Sequence, residues 1–539
     1  MKIALLSSYT ADLLPKEIDK YLEPGGIVTQ WYIAPFNQYM QEILAPESSL
    51  KKFTPDVILL ALDFDEFISA SDKLSELLST ASAQFSSAAI IVHNCAMLQP
   101  EPMQLLEWNT PDSKRLLASK INCKLAELAQ SLPNIYVLDL EYLVLKYGSE
   151  NLFDPRFYYS AKVQFSLFGI QKVAEQLVTA LLSISGRRKK CMVLDLDNTL
   201  WGGIIGEDGI EHINLSNDGT GKAFYDFQKN IEKLRNTGTV LAICSKNDKE
   251  IALEVINNHP YMVLREEKFA ALRINWNDKV SNIKSIAQEL NLGLDSFVYF
   301  DDSPHEREVV RTLLPEVTVP DLPEDFSEYP RFLSGLPYFE AFSYTTEDSL
   351  RGQMYVQERQ RKDLKRSSGS LDAFLKTLAI RVSIKKADNF TIPRIAQLTQ
   401  KTNQFNLTTR RYTESDIREF SNNPSWWVLS ASTSDKLGDS GIVGVAICEI
   451  DEDTVRLDTF LMSCRVLGRG VEQAFLMAVL EISKKANMKT CAAEYIQTKK
   501  NGMAGDFLQS NGFALRDDYY MRDLRKAREF PDWIEVEYE

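Results

Sequence analysis

Apolar positions along the chain fall into three patterns, each predicting a different set of elements. In the first 180 residues, the short apolar runs KIALLSS, DVILLAL, AAIIVHN and NIYVLDL alternate with stretches of helical periodicity. Continuous runs of this length read as strands buried on both faces, and their alternation with helices predicts a parallel α/β sheet. A long amphipathic pattern, GIQKVAEQLVTALL, closes the region before the basic stretch SISGRRKK, residues 183–190. A second region has three more buried-strand runs, MVLDLDN, TVLAICSKN and SFVYFDDS. Between the first two, WGGIIGEDGIEHINL reads as a glycine-punctuated hairpin and GKAFYDFQKNIEKLRNTG as a helix returning to the sheet. The region ends at ERQRKDLKRSSGS, residues 358–370, where a charged helix end runs into a Ser/Gly tract. Apolar patterning resumes at LDAFLKTLAIRVSI, and further on the alternating run TVRLDTFLMS leads directly into the helical pattern of CRVLGRGVEQAFLMAVLEISKK. The expectation is an α/β multidomain chain with domains at 1–186, 187–368 and 369–539, the last of α+β character, without internal repeats.

Chemistry concentrates at the ends of the second region's strands. Asp195, Asp197 and Thr199 follow an apolar run in the spacing Asp-x-Asp-x-Thr. Alternate residues at the carboxyl end of a parallel strand face the same way, so both carboxylates can reach one phosphoryl group. One can attack phosphorus while the other handles the leaving group's proton. Ser245 ends the next run and offers a hydroxyl to a phosphate oxygen. Lys279 opens a helical pattern, where its ammonium can neutralise phosphoryl charge. Asp301 and Asp302 end the third run with hard oxygens suited to Mg²⁺.

The whole chain has 539 residues, room for about three domains, with 44% hydrophobic residues to build their cores. Its formal charge of −14 disfavours non-specific nucleic-acid binding. Basic clusters at Arg187 to Lys190, Arg359 to Arg366 and Arg410 to Arg411 read as linker and surface. No apolar run approaches the ~20 residues that span a bilayer, and MKIALLSSYTADLLPKEIDK lacks a signal-peptide pattern, so a cytoplasmic protein without membrane or nucleic-acid partners is expected. Cys95, Cys123, Cys191, Cys244, Cys448, Cys464 and Cys491 are scattered and odd in number, which fits neither a disulfide framework nor a zinc site.

The four strand-end segments resemble, in order, the motifs of the haloacid dehalogenase (HAD) superfamily. The resemblance implies Asp195 as nucleophile, Asp197 as general acid/base, and Thr199 and Ser245 as orienting groups. It implies Lys279 as the charge stabiliser and Mg²⁺ held by Asp195, Asp301 and the Asp197 carbonyl, with Asp302 as the fourth acidic position. About 45 residues separate Thr199 from Ser245, too few for a separate cap domain, so a capless Rossmann-like domain open to a large or protein-borne substrate is expected. The first region resembles an SGNH-hydrolase-like sheet, with Ser8 after strand one and Asn94 after a later strand. It lacks the Gly-Asp before the serine, and at Asp154-Pro-Arg-Phe157 no imidazole follows the aspartate. Ser8 therefore lacks its base, and His93, on an apolar strand, reads as structural. Such a degenerate domain fits docking or substrate closure.

In the last region Arg465-Val-Leu-Gly468-Arg-Gly470 fits an R-x-x-G-x-G turn opening a helix, where backbone N–H groups can cradle a pyrophosphate. With the strand KTCAAEYIQ and with Asn501, Ala504, Phe507, Gly512 and Phe513, it resembles the second half of the GNAT acyltransferase fold, which implies coenzyme A or a carrier's phosphopantetheine as ligand. Tyr495 and Glu494 are base candidates by position only, and a domain that binds pantetheine or nothing fits equally.

Domain order and the strings LDLDNTLWGGIIGEDG, CSKN, FDDSPHER, KTNQFNLTTRRY and SCRVLGRGVE together resemble the FkbH-like proteins, HAD subfamily IIIC. That resemblance implies a three-carbon unit drawn from 1,3-bisphosphoglycerate, dephosphorylated and loaded as a thioester on an acyl carrier protein. Cys244 is then the expected acyl nucleophile, with Lys246 beside it, although Cys244 and Ser245 face opposite sides of an extended strand. The alternative is a phosphatase acting on a free phosphorylated metabolite, fused to an independent CoA-dependent N-acyltransferase.

Overall fold

The computed structural model describes residues 1–538 except 103, 343–345, 403, 499–500 and 526–529. The chain divides into two compact units. The first is Met1–Lys190 with 295–298 and 331–344; the second is the remainder.

The first unit is built on a five-stranded parallel sheet, β1 (Lys2–Ser7), β2 (Gln30–Ile33), β3 (Val57–Ala61), β4 (Ala89–His93) and β5 (Ile135–Leu138), in the order β2-β1-β3-β4-β5. Alternate residues of the apolar runs serve opposite faces. Ile3, Leu5, Leu59 and Ile91 join one core cluster, while Ala4, Leu6, Leu60 and Val92 join another. Two buried faces explain why the runs show no polar alternation. Strand β2, QWYI, was not visible as an apolar run because this short edge strand is half-exposed.

Helix Leu167–Ile184 has 18 residues and a mean hydropathy of 1.3, and among the described residues it alone is long and apolar enough to cross a membrane. Its Ile170, Val173, Ala174, Leu177 and Leu181 lie in the core of the first unit, which accounts for that composition.

The four motif segments are carried by a four-stranded sheet, β6 (Cys191–Leu194), β7 (Val240–Ser245), β8 (Ala271–Ile274) and β9 (Phe297–Phe300), ordered β8-β7-β6-β9. Strands β6, β7 and β8 pair in parallel. Between β6 and β7 stand only the one-turn helix Ile205–Asp208 and the helix Lys222–Asn236. The hairpin expected at WGGIIGEDGIEHINL is corrected to a single antiparallel bridge, Gly202 to Asn214, around that turn. Glycines rather than strand formers occupy the crossing point: a Cβ on Gly202 would come within 2.8 Å of the Phe224 ring, and Gly203 has φ +97°.

The rest of the second unit is an eight-stranded mixed sheet. Its strands are β10 (Ile380–Lys386), β11 (Trp426–Asp435), β12 (Gly438–Asp451), β13 (Thr454–Met462), β14 (Thr490–Ala493), β15 (Ala514–Arg516), β16 (Tyr519–Asp523) and β17 (Ile534–Tyr538). They are ordered β15-β16-β14-β13-β12-β11-β10-β17, with parallel pairs at β13–β14 and β10–β17. Helix Val471–Lys485 follows β13 and contributes Ala474, Phe475 and Ala478 to the principal core of this sheet.

Candidate active site

The carboxyl ends of β6, β7 and β9 bring the four motif segments together. Asp195 directly follows β6, Ser245 ends β7, and Asp301 directly follows β9. Lys279 opens helix Lys279–Leu290, which Asp278 caps by accepting the Ser281 N–H. The Lys279 ammonium is 2% exposed and lies 2.9 Å from Asp195 Oδ1 and 3.0 Å from Asp301 Oδ2. It also donates to the Cys244 carbonyl at 2.8 Å. A buried cation is tolerated only when paired, and here two carboxylates and a carbonyl surround it. Burial works against its charge, but the two carboxylates outweigh that and hold its pKa above the ordinary lysine value.

Burial pushes the Asp195 carboxyl up to about 6, with Asp301 adding to the shift and Lys279 and the Ser245 hydrogen bond opposing it. Asp197 is held differently. Its Oδ1 accepts from Trp201 Nε1 at 2.9 Å and from the Ile205 N–H at 3.1 Å, and its Oδ2 accepts from Asn247 Nδ2 at 2.8 Å. Burial nevertheless raises its pKa, which favours the protonated form that a general acid needs.

Asp195, Asp301 and Asp302 each offer one carboxylate oxygen, and the three oxygens lie within 4.8 Å of one another. Three hard anionic donors against one ammonium leave the cluster negative, a donor set that fits Mg²⁺. Asp301 Oδ1 accepts the Ser303 N–H at 2.9 Å, and Tyr299 donates its hydroxyl to Oδ2. The Thr199 hydroxyl is fully buried without a hydrogen-bond partner, a polar group left over for an oxyanion.

Several supporting residues escaped the sequence reading. Tyr299 lies two residues before Asp301, so the strand's period of two would have placed both on one face. Asn247 lies two residues after Ser245 and was readable in the same way. Arg307 donates to the carbonyls of Asp301 and Asp302 at 2.8 and 2.7 Å, fixing the turn that carries both carboxylates. Its contact depends on the helix Pro304–Leu313 folding back, which no local pattern announces.

The other expected residues are placed as follows. Cys244 is fully buried on β7, its Sγ 3.8 Å from the Lys279 carbonyl. Burial pushes its thiol up to about 12, so it is protonated at neutral pH. Lys246 is paired with Glu306 at 2.6 Å. In the first unit, Ser8 Oγ accepts the Asp63 N–H at 2.7 Å, and Asp154 caps the helix Pro155–Ala161 and pairs with Arg156. Asn94 donates to Asp139 at 2.8 Å and accepts the Leu140 N–H at 2.8 Å. His93 donates through Nδ1 to the Asn94 carbonyl, 2.8 Å away, and burial lowers its pKa to about 4.

In the eight-stranded domain, Gly468 and Gly470 have φ +76° and +86° and deliver the chain into helix Val471–Lys485. The Gly468 N–H donates to the Glu472 carboxylate at 3.2 Å, so an acidic side chain folds over this turn. Arg465 Nε donates to Ser463 Oγ at 3.2 Å. Glu494 is paired with Arg410 at 2.7 Å, and the Tyr495 hydroxyl donates to the Asn501 carbonyl at 3.4 Å. Asn501 is itself a buried brace, with Nδ2 donating to the carbonyls of Asn406 and Ile496.

This geometry defines an α/β domain whose strand ends bring three carboxylates around one buried ammonium. Residues 2–182 match the family described as FkbH, N-terminal domain. Among solved structures, the chain is similar to the N-terminal part of the protein BF1531 from Bacteroides fragilis, described as containing a phosphatase domain complexed with Mg. The two are 32% identical with a TM-score of 0.60, over 64% of this chain and 95% of that one. The protein belongs to the family of that Bacteroides fragilis protein. Over the carboxyl-terminal region it is also similar to the ribosomal-protein-S18-alanine N-acetyltransferase of Escherichia coli, at 14% identity and a TM-score of 0.22, over 28% of this chain and 97% of that one. No curated protein matches the chain.

Proposed function

We propose that the protein is a Mg²⁺-dependent HAD-type phosphatase that takes a three-carbon acyl phosphate of the 1,3-bisphosphoglycerate type, removes its phosphoester phosphate, and delivers the glyceryl unit to an acyl carrier protein as a thioester. The observation that carries the phosphatase part is the Lys279 ammonium seated between Asp195 and Asp301 at 2.9 and 3.0 Å, with three carboxylate oxygens converging beside it. The Bacteroides fragilis relative with its Mg-bound phosphatase domain supports the same part, and the loading steps rest on the resemblance of the strings CSKN, FDDSPHER and SCRVLGRGVE to the FkbH-like proteins.

In the first step an Asp195 oxygen forms a bond to phosphorus, and the ester oxygen departs with the proton of Asp197. Water then attacks the aspartyl phosphate as Asp197 takes its proton, releasing inorganic phosphate and restoring the carboxylate. Lys279, Ser245 and Thr199 stabilise and orient the phosphoryl oxygens. Asp195, Asp301 and Asp302 would hold Mg²⁺, which when bound supplies positive charge against the phosphoryl oxygens. At the other end of the substrate a thiolate bonds to the acyl carbon and the acyl phosphate leaves as inorganic phosphate.

Two thiols can perform that second reaction: Cys244, which the sequence resemblance nominates, or the carrier's own pantetheine. The buried, protonated state of the Cys244 thiol favours direct capture by the carrier. The test is intact-protein mass spectrometry of a holo acyl carrier protein incubated with enzyme, Mg²⁺ and a 1,3-bisphosphoglycerate-generating system. A glyceryl-sized increment on the carrier is expected. Phosphate release without any increment would leave a phosphatase and remove the loading step. Cys244→Ser decides between the thiols: loading that persists assigns capture to the carrier, and loading that disappears while phosphate release continues assigns it to Cys244.

A further inference from the structure

The amino-terminal unit contains a cavity of about 430 Å³ that the phosphoryl chemistry does not use. Its walls come from helices Leu140–Tyr147 and Leu167–Ile184, the basic stretch that follows the second helix, and residues 335–340. Five cations line it, Lys146, Lys172, Arg187, Arg188 and Lys189, against two carboxylates, Glu175 and Glu340. The whole chain carries a net charge of −14, so this excess of positive charge is local and does not follow from composition.

Three of the cations are held in ways that leave their charge uncancelled by those contacts. Arg187 Nη1 donates to the Gly25 carbonyl at 3.0 Å, and Lys189 Nζ donates to the Asp295 carbonyl at 2.6 Å. Lys146 stands over the rings of Tyr142 and Tyr147, at 5.6 and 5.3 Å from their centroids. Carbonyls and ring faces orient a cation without removing its net charge. Of the two carboxylates, Glu175 is engaged by Lys172 at 2.8 Å and by the Tyr21 hydroxyl at 3.1 Å, and Glu340 has its pKa raised by burial against the opposing charge of Lys146, so three cations remain in excess over the two carboxylates. The stretch bearing Arg187 to Lys189 is also fixed by its backbone, with the Lys189 N–H donating to the Tyr338 carbonyl at 3.0 Å. Leu143, Val178, Leu182 and Pro337 provide apolar walls among the tyrosines. The basic run that reads in sequence as a solvated linker is therefore one wall of a cavity of ligand-binding size.

We propose that this cavity is a binding site for a phosphate ester carried on a slender, partly apolar arm, the phosphate meeting Lys146, Arg187 and Lys189 and the arm lying against the tyrosines. The site belongs to the first unit and does not depend on the phosphatase reading. Such an ester can be a free small molecule or the phosphopantetheine arm of an acyl carrier protein, and the phosphate contacts are common to both.

The test is calorimetric titration of the full-length protein with 4′-phosphopantetheine in EDTA, which prevents turnover, beside pantetheine lacking the phosphate. Phosphopantetheine is expected to bind at least tenfold more tightly than pantetheine. Lys146→Gln and Arg187→Gln, both at exposed side chains, should each weaken it at least fivefold while leaving phosphate release unchanged. Asp195→Asn should leave the binding intact, which separates this site from the phosphatase site. Equal affinity for the two compounds, loss of binding in Asp195→Asn, or unchanged binding in both cation variants would overturn the proposal. Comparing holo with apo carrier protein identifies the source. A Lys146-dependent preference for the holo form assigns the arm to a carrier, and equal binding of the two forms, with free phosphopantetheine still bound, assigns the site to a free ester.

Discussion

The chain contains two parallel sheets that present polar residues at the carboxyl ends of their strands, the usual place for a ligand in an α/β fold, yet the two ends are organised in opposite ways. Beyond β1, β3 and β4 stand Ser8, Asp63 and Asn94, and their hydrogen bonds are spent on the protein itself. Ser8 accepts the Asp63 N–H, Asp63 caps a helix by accepting the Glu66 N–H, and Asn94 ties down the Leu140 N–H and Asp139. Beyond β6, β7 and β9 the polar groups face one another. Asp195 and Asp301 share one ammonium, Asp302 adds a third converging oxygen, and the Thr199 hydroxyl has no partner. Polar residues at a strand end are therefore not a site by themselves. The second cluster is one because its groups converge and remain incompletely satisfied without a ligand, which is where binding free energy comes from.

The largest way to break the contrast is Asp195→Asn, which removes the proposed nucleophile while keeping its shape. Phosphate release should fall by about 10⁴-fold or more, and a colorimetric phosphate assay on the folded variant checks it. Lys279→Met comes next. It leaves Asp195 and Asp301 facing each other unpaired, so the metal-free protein should lose roughly 3–5 kcal/mol, read as a lowered urea midpoint. At the other sheet end, Asn94→Ala should cost about 1–3 kcal/mol, chiefly through the buried Leu140 N–H it leaves without an acceptor, with phosphate release unchanged. A substantial loss of release in that variant would give the first sheet a part in the chemistry.

Acid sharpens the comparison with the smallest effect, because the two ends should respond with opposite sign. His93 has its pKa lowered to about 4 by burial. The unfolded chain takes up that proton first, so stability present above about pH 6.5 is lost as the pH falls toward 4. Asp195 in the metal-free protein has its pKa raised from 3.8 to about 6. There the folded protein takes the proton first, so stability is gained as the pH falls from 6 toward 3.8. Each contribution is about 1 kcal/mol per unit of pH across its window. Urea midpoints at pH 7 and pH 5 in EDTA check the signs: His93→Gln should lose less on acidification than the parent, and Asp195→Asn should lose more.

Much of the second cluster was legible because residue type and strand period act locally. Asp195, Ser245 and Asp301 each stand at the end of an apolar run, and Lys279 opens a helix behind an Asp cap, as the pattern predicts. The state of Cys244 was not legible. It stands beside Ser245 in sequence, but strand alternation puts their side chains on opposite faces, and only the packing of helix Lys279–Leu290 brings the Lys279 carbonyl against the thiol and seals it. Glu472 is similar: the glycine turn reads as an anion cradle, yet a side chain four residues on folds over to take the Gly468 N–H.

By itself the sequence determined the α/β alternation, the strand ends on which Asp195, Asp197, Ser245 and Asp301 stand, and the positions of the glycine turns, because periodicity and backbone preference depend on near neighbours. Tertiary structure alone decided which of those polar groups converge and which are spent. The ammonium of Lys279 between Asp195 and Asp301, and the seating of Arg187 and Lys189 in one cavity with Lys146 and residues 335–340, join residues far apart in the chain, and the Arg307 brace on the Asp301 turn needs the following helix to fold back over its own start. Their charge states follow from burial and from partners that folding brings together, and neither is written into a local run of sequence.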